Sequence, residues 1–126
     1  MIREGRWRWS LPAAVLSAIL LLSPAVAAGQ KPQVLGYGVK GCQEYVEVFD
    51  RWEDGDGEAA FEYLRYRSWL AGFVTGLSLA TASDVLKGVE VKGAMRRIQV
   101  YCDEHPENDF FMATMELIRT LSGLGG

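Results

Sequence analysis

The sequence contains one histidine and two cysteines, so it lacks the residues on which most metal and nucleophile chemistry depends. A structural zinc site takes four ligands, usually nitrogen and sulfur, and a Ser-His-Asp triad cannot be argued from a single histidine. Cys42 and Cys102 lie far apart and form no C-x-x-C pair of the redox or metal-binding type. We therefore expect no metal, no cofactor and no catalytic residue, and we do not expect an enzyme.

Basic residues are also in short supply, with 13 Lys and Arg against 16 Asp and Glu. Residues 1–28 contain three of the arginines and one glutamate, so the rest of the chain carries ten basic and fifteen acidic residues and a formal charge of −5. Nucleic acids require a basic surface that neutralises their phosphates. The charge balance therefore argues against a nucleic-acid partner.

The chain has few long hydrophobic runs, and the first lies near the N-terminus. Arg3, Arg6 and Arg8 precede the apolar residues 11–23, and small residues follow up to Ala28. A basic start, an apolar run and a small-residue cleavage site are typical of a secretory signal peptide. The apolar run is shorter than the roughly 20 residues of a membrane-spanning helix. We predict a signal peptide over residues 1–28, export to the periplasm, and no stable membrane insertion after cleavage.

The two cysteines are predicted to form a disulfide bond. An even number of cysteines in an oxidising compartment is most simply interpreted as paired. Cys42 lies on the inner face of the first predicted helix and Cys102 on that of the third, so the bond would join these two helices. The alternative is a Cys102 thiol that acts with His105 as nucleophile and base, or as a metal ligand, and it requires the bond to be absent.

Hydrophobic periodicity divides the rest of the chain into four helices. Residues 29–41 are rich in Gly and Pro and predict an extended or loosely ordered lead-in. The first helix begins at Cys42 and ends at the D-G-D-G turn of residues 54–57, and the second spans residues 58–82. The third spans residues 91–104, and the fourth follows Pro106 and ends before a flexible tail at residues 123–126. The sequence predicts an all-α fold, a compact four-helix domain over residues 42–122 that one disulfide ties together.

Each predicted helix has a predicted buried face, and Arg65 and Arg67 are expected to point outward from the second. The buried positions are Cys42, Tyr45, Val46, Phe49 and Trp52 in the first helix, Phe61, Leu64, Trp69, Phe73, Leu77 and Ala80 in the second, Val91, Met95, Ile98 and Cys102 in the third, and Phe110, Ala113, Leu117, Leu121 and Leu124 in the fourth.

Two short patterns are similar to ligand sites but lack the necessary context. Residues 36–41 match G-x-G-x-x-G, yet a dinucleotide site requires a strand–helix–strand unit and only helical patterns follow. Asp50, Asp54, Asp56 and Glu58 alternate along the chain, but the glycine and the bidentate acid of a calcium loop are missing from the required positions. We predict a solvated acidic turn and no bound ligand at either place.

Residues 69–76 form the most distinctive stretch of the chain. Gly72 and Gly76 lie one helical turn apart, beside Trp69 and Phe73. Glycine in a helix interior costs about 1 kcal/mol relative to alanine, so the pair indicates that another helix approaches closely. We expect this face to pack within the domain, and an exposed binding groove is the alternative.

The same stretch contributes to a resemblance that extends over about residues 42–121. These residues and a leucine-rich last helix resemble the small exported helical proteins of the Rap/Tai type VI secretion immunity family. A cysteine before the first long helix and a second far downstream are also similar to the HdeA/HdeB acid-stress chaperones. The residues that carry the first resemblance are Trp69, Gly72, Phe73, Gly76, Tyr101, Cys102, Pro106 and Ala113.

Both resemblances imply a binding function. Membership of the immunity family implies a periplasmic protein, often dimeric, that binds and blocks a toxic cell-wall amidase delivered by a neighbouring cell. Membership of the chaperone family implies a periplasmic dimer that loosens at low pH and keeps unfolding client proteins in solution. We therefore expect a protein partner, either a toxin or unfolding clients, and a homodimer is an expected assembly. The specificity of an immunity protein would lie in loops such as residues 54–58 or 83–90.

Overall fold

The computed structural model describes residues 29–124, and its helical unit begins at Gln33. A 3₁₀ helix over Gly36–Val39 precedes four α-helices, which are α1 (Cys42–Glu53), α2 (Gly57–Thr81), α3 (Val91–Glu104) and α4 (Phe110–Leu124). No strand forms among the described residues, and an isolated antiparallel bridge links Gly41 to Asp109. The predicted all-α, four-helix fold is confirmed.

Two of the predictions concern residues that the structure does not describe. The proposed signal peptide over residues 1–28 lies outside the described residues, as do the last two residues of the predicted tail. Within the described residues, α4 continues to Leu124, two residues beyond the predicted end of the domain. None of the described helices is long and apolar enough to cross a membrane.

Side-chain chemistry defines the start of α2. The Asp56 carboxylate accepts hydrogen bonds from the backbone N–H groups of Glu58 at 2.9 Å and Ala59 at 3.3 Å, which caps the helix. The same carboxylate pairs with Arg51 at 2.7 Å. Between them, Gly55 adopts a φ of 86°, a conformation that favours glycine. The acidic turn therefore fixes how α1 leads into α2.

The lead-in is more ordered than the sequence indicates. Its Gly36–Val39 segment forms the 3₁₀ helix, which packs against α2 and α4. Two backbone hydrogen bonds attach the end of this segment to the start of α4, from Phe110 N–H to Lys40 O at 2.9 Å and from Cys42 N–H to Asn108 O at 2.8 Å. The expectation of an extended or loosely ordered lead-in is wrong here, because these bonds give the segment partners that lie far away in sequence.

The predicted disulfide between Cys42 and Cys102 is present, and both cysteines are fully buried. It joins the first residue of α1 to the last turn of α3, with the two Cα atoms 4.7 Å apart. The α1 and α3 helices pack against each other along the same side. The bond therefore ties together two helices that are already in contact.

Aromatic contacts select which face of α2 is buried. Tyr45 of α1 lies 4.8 Å from Tyr66 between ring centroids, and Trp52 stacks on Tyr63 at 3.8 Å. The buried residues of α2 are therefore Ala59, Tyr63, Tyr66, Leu70 and Val74.

The predicted buried face of α2 is partly wrong. Phe61, Leu64 and Ala80 are exposed, whereas Trp69, Phe73 and Leu77 are half-buried. Apolar residues occur on every side of this helix, so its periodicity does not single out one face. Arg65 and Arg67 do point outward, as predicted.

The predicted faces of the other three helices agree closely with the structure. The main difference is Leu124, which is exposed at the end of α4. Outside α2, four buried residues were not predicted, and they are Val48, Leu86, Ala94 and Thr114.

We predict that removing the disulfide lowers the free energy of unfolding by about 4 kcal/mol. The bond closes a loop with a sequence separation of 60 residues, and the chain-entropy treatment assigns a loop of this size about that stabilisation. The measurement is urea unfolding of the oxidised protein and of the Cys42→Ala/Cys102→Ala variant. Mass spectrometry after alkylation without reduction is the control and should label neither cysteine of the parent protein. Equal unfolding midpoints and slopes for the two proteins would contradict the prediction.

Candidate protein-binding surface

One face of α2 remains uncovered along most of the helix. Its residues recur at helical spacing and are all exposed, and they carry only one charged side chain. We refer to this set as the α2 stripe, and its members are Phe61, Leu64, Arg65, Ser68, Gly72, Thr75, Gly76 and Leu79.

The two glycines of the stripe have no neighbour among the described residues. A Cβ atom placed on Gly72 or on Gly76 meets nothing within 4 Å. The expectation that this face packs within the domain therefore differs from the structure, and the alternative of an exposed surface agrees with it. The sequence signal for exposure was the spacing of small residues four apart, at Ser68, Gly72, Gly76 and Ala80.

An open groove lies at each end of the α2 stripe. The groove at the N-terminal end has a volume of about 460 Å³ and is lined by Tyr37, Phe61, Leu64, Arg65 and Ser68. The groove at the C-terminal end has a volume of about 680 Å³ and is lined by Val74, Thr75, Ser78, Leu79, Ala82, Ser83, Asp84 and Leu86.

The loop that follows the stripe, residues 82–90, is held in one shape by hydrogen bonds. The Asp84 carboxylate accepts from the backbone N–H groups of Leu86 at 3.0 Å and Gly88 at 2.8 Å. Ser78 Oγ accepts from Val85 N–H at 3.2 Å, which attaches the loop to α2. The Leu86 side chain is buried in the core. We call this segment the α2–α3 loop.

Strained backbone is concentrated in the α2–α3 loop. Ala82 has a φ of 50° and Lys87 a φ of 52°, and no other non-glycine residue of the described chain has a positive φ. Each such residue costs about 1–3 kcal/mol and persists only where its surroundings hold it. Here the hydrogen bonds of Asp84 and the burial of Leu86 hold it.

Trp69 and Phe73 lie beside the stripe and face inward. The Trp69 indole N–H donates to Leu35 O at 2.8 Å, and its ring stacks on Phe73 with centroids 5.2 Å apart. Phe110 meets the edge of Trp69 at 5.7 Å, and Phe111 meets Phe73 at 5.6 Å. The aromatic pair of the sequence signature thus holds α4 and the lead-in against α2.

The G-x-G-x-x-G pattern has a packing explanation. The 3₁₀ helix passes directly over the Trp69 indole, and a Cβ atom on Gly38 would lie 2.2 Å from Trp69 Cζ2 and 2.7 Å from Val34 Cγ1. Gly36 has a φ of 70° and also faces this ring, at 3.3 Å from Cδ1. These glycines allow the backbone to approach a tryptophan, which accounts for the pattern without a phosphate.

The remaining signature residues lie at the turn between α3 and α4. The Tyr101 ring stacks on His105 with centroids 4.1 Å apart, and its hydroxyl accepts from Asn108 Nδ2 at 2.7 Å. Pro106 is exposed in the turn, and Ala113 is fully buried in α4. The structure therefore divides the signature between the Trp69 region and this turn, and does not bring it together in one site.

The candidate chemical groups have structural roles. Cys102 is in the disulfide, so it is not available as a thiol partner for His105, whose Nδ1 lies 2.9 Å from Tyr101 O. The described residues contain no cluster of three His, Cys, Asp or Glu side chains that could hold a metal ion. In the acidic turn, the hydrogen bond from Arg51 and those from the Ala59 and Glu58 N–H groups lower the pKa of Asp56.

Comparison with known proteins finds no protein-family model, curated protein or solved structure that matches this chain. The similarities to immunity proteins and to acid-stress chaperones therefore stay predictions from short motifs.

We predict that Gly38→Ala destabilises the fold, because the added methyl group overlaps the Trp69 ring. Overpacking of this kind costs about 1–3 kcal/mol. The measurement is the free energy of unfolding in urea, with Gly93→Ala as the matched control. A Cβ at Gly93 meets only Val89 Cγ1, at 3.5 Å, and alanine in a helix interior should add up to about 1 kcal/mol. Equal stability of Gly38→Ala and the parent protein would contradict the close packing on Trp69.

Proposed function

We propose that this chain is a non-enzymatic periplasmic binding protein of the immunity kind, which binds and blocks a cell-wall amidase toxin. The observation that carries the proposal is the α2–α3 loop, where both non-glycine residues with positive φ occur. Strain of this kind clusters at binding and switch regions of proteins. The resemblance of the Trp69–Gly76 and Tyr101–Pro106 motifs to immunity proteins supports the choice of partner.

A fixed loop suits the recognition of one enzyme. Binding through a mobile loop would cost the free energy of ordering it, whereas a preformed loop avoids most of that cost. The inward hydrogen bonds of Asp84 leave Ser83, Lys87 and Glu90 exposed on the outer side. A specific interface of about 1,600 Å² in total would need further surface beside the loop, and the end of α2 provides it.

The test is inhibition of peptidoglycan hydrolysis by purified type VI amidase toxins. We expect one such toxin to be blocked by an equimolar amount of the oxidised protein. Because Lys87 is at the outermost strained position of the loop, Lys87→Glu should weaken inhibition at least about tenfold, which corresponds to about 1.4 kcal/mol.

Lys92→Glu is the matched control, because Lys92 is an exposed lysine in the first turn of α3, outside the loop. Inhibition by this variant should equal that of the parent protein. If no amidase of this class is inhibited, or if the two lysine variants behave alike, the proposed role of the loop is wrong.

An acid-activated chaperone resembling HdeA and HdeB is the second candidate, and carboxylates that link separate elements favour it. Glu53 pairs with Arg96 and joins α1 to α3. Glu62 accepts a hydrogen bond from the Tyr37 hydroxyl at 2.9 Å and joins the 3₁₀ helix to α2. Protonation weakens both contacts, while the formal charge beyond residue 28 moves from −5 toward about +11 and self-repulsion rises.

Asp56 contributes to the same acid sensitivity. Its pKa in the folded protein is lowered, chiefly by the hydrogen bond from Arg51. A lowered folded pKa means that the stabilisation is present above the unfolded pKa, about 3.9. The stabilisation is lost as the pH falls through the folded pKa. The start of α2 is therefore expected to loosen in acid.

For the chaperone candidate, we predict suppression of client aggregation at about pH 3 and none at about pH 7, because Asp and Glu side chains become mostly protonated only below their ordinary pKa values of about 4. The measurement is light scattering of an acid-sensitive client with and without the oxidised protein. Equal scattering with and without the protein at both pH values would remove this candidate. Such a result would leave the immunity proposal intact.

A further inference from the structure

We propose that the α2 stripe binds the α2 stripe of a second copy of this chain, antiparallel, around a twofold axis beside Gly72. The inference goes beyond the proposed function because it concerns a different face of the molecule. It rests on the composition of the stripe, on the open space at its glycines and on the positions of its two grooves.

The first step is the apolar character of the stripe. Phe61 is 71% exposed and Leu79 is 78% exposed, and Leu64 lies beside Phe61 with 49% exposed. Arg65 is the only charged member of the stripe. An exposed apolar face rimmed by polar residues indicates an interaction surface.

The second step is the small centre of the stripe. Ser68, Gly72 and Gly76 follow one another at intervals of four residues, and nothing lies above the two glycines among the described residues. Each glycine costs about 1 kcal/mol in a helix interior, and no contact within the described part of the chain offsets that cost. Small residues at this spacing allow two helix backbones to approach closely, and a second helix would recover the loss.

The third step is a match between side chains and grooves. Phe61 precedes Gly72 by eleven residues, and Ser83 follows it by eleven. With about 1.5 Å of rise per residue, an antiparallel partner centred on Gly72 places Phe61 at the C-terminal groove of the other copy. Leu79 follows Gly72 by seven residues and Arg65 precedes it by seven, so Leu79 lies at the partner's N-terminal groove. Each copy thus fills both grooves of the other, as an isologous interface requires.

Charge favours the antiparallel arrangement over the parallel one. In a parallel pair, the two Arg65 side chains would face each other, and the helix dipoles would be aligned. In the antiparallel pair, the two Arg65 positions lie about 21 Å apart along the axis, well beyond the screening length of about 8 Å at physiological salt. The dipoles of the two helices then oppose each other, which is favourable.

The length of the stripe indicates a moderate affinity. The stripe extends from Phe61 to Leu79, about 27 Å along the helix axis. A contact between two single helices of this length lies at the low end of specific interfaces, below about 1,200 Å² in total. We therefore expect a dissociation constant in the micromolar range.

The dimer brings two loops of different copies together. Because the helices run antiparallel, the 54–57 turn of one copy and the α2–α3 loop of the other lie at the same end. A partner protein would then meet a surface that both copies build. The dimer proposal itself does not depend on such a partner.

The experiment is analytical ultracentrifugation of the oxidised protein, purified after export, at about 1 to 200 μM, a range that spans a micromolar dissociation constant. We expect the mass to double across this range. Phe61→Asp and Leu79→Asp should each raise the dissociation constant at least about tenfold, and both sites are too exposed for the change to unfold the monomer. Val100→Asp is the matched control, because Val100 is a 49% exposed apolar residue of α3, outside the stripe. It should dimerise like the parent protein.

The register is tested with cysteine cross-links. An antiparallel pair centred on Gly72 brings Ser68 of one copy to Gly76 of the other. A mixture of Ser68→Cys and Gly76→Cys proteins should therefore form the mixed disulfide in excess over the two symmetric ones. A mass that stays monomeric at 200 μM, about the top of the tested range, overturns the dimer. A predominance of symmetric cross-links overturns the antiparallel arrangement. Amidase inhibition by a monomer would leave the proposed function standing, so the two failures can be distinguished.

Discussion

The side chain of Tyr45 contacts all of the other helices, and the packing of the unit depends on it. Its ring meets Tyr66 of α2 at 4.8 Å and Phe110 of α4 at 4.7 Å, and its hydroxyl donates to Met95 O of α3 at 2.8 Å. Burial raises the pKa of this hydroxyl, so it stays protonated and remains a donor. The disulfide lies at one end of the same arrangement and ties α1 to α3.

This aromatic centre determines which face of α2 is left outside. Once Tyr63 and Tyr66 face α1, the side of α2 that carries Phe61, Gly72 and Leu79 must face away from it. The arrangement also leaves the buried Tyr66 hydroxyl without a hydrogen-bond partner among the described residues, which costs about 1–3 kcal/mol. Packing of the aromatic rings outweighs that cost, because the ring contacts of Tyr66 involve Tyr37, Tyr45 and Phe110.

The proposed surfaces differ in their physical character. The α2–α3 loop is polar, strained and rigid, which suits recognition of one specific protein. The α2 stripe is apolar, smooth at its centre and grooved at its ends, which suits another copy of itself. Both surfaces lie on one long helix and the loop that follows it, so assembly and recognition can be coupled through a single element. The carboxylate contacts of Glu53 and Glu62 lie away from the α2–α3 loop and make the unit sensitive to acid.

The sequence by itself determined the helices, their approximate ends and the disulfide, because these depend on local signals. Examples are the D-G-D-G turn, the regular spacing of apolar residues in α1, α3 and α4, and an even pair of inward cysteines. The orientation of α2 was decided only by the tertiary structure, because apolar residues surround that helix and only contact with Tyr45 and Trp52 selects a face. The same holds for the glycines. At Gly36 and Gly38 the space is filled by Trp69, and at Gly72 and Gly76 it is open. Local sequence cannot distinguish these cases, because the neighbour that fills or leaves the space comes from a distant part of the chain.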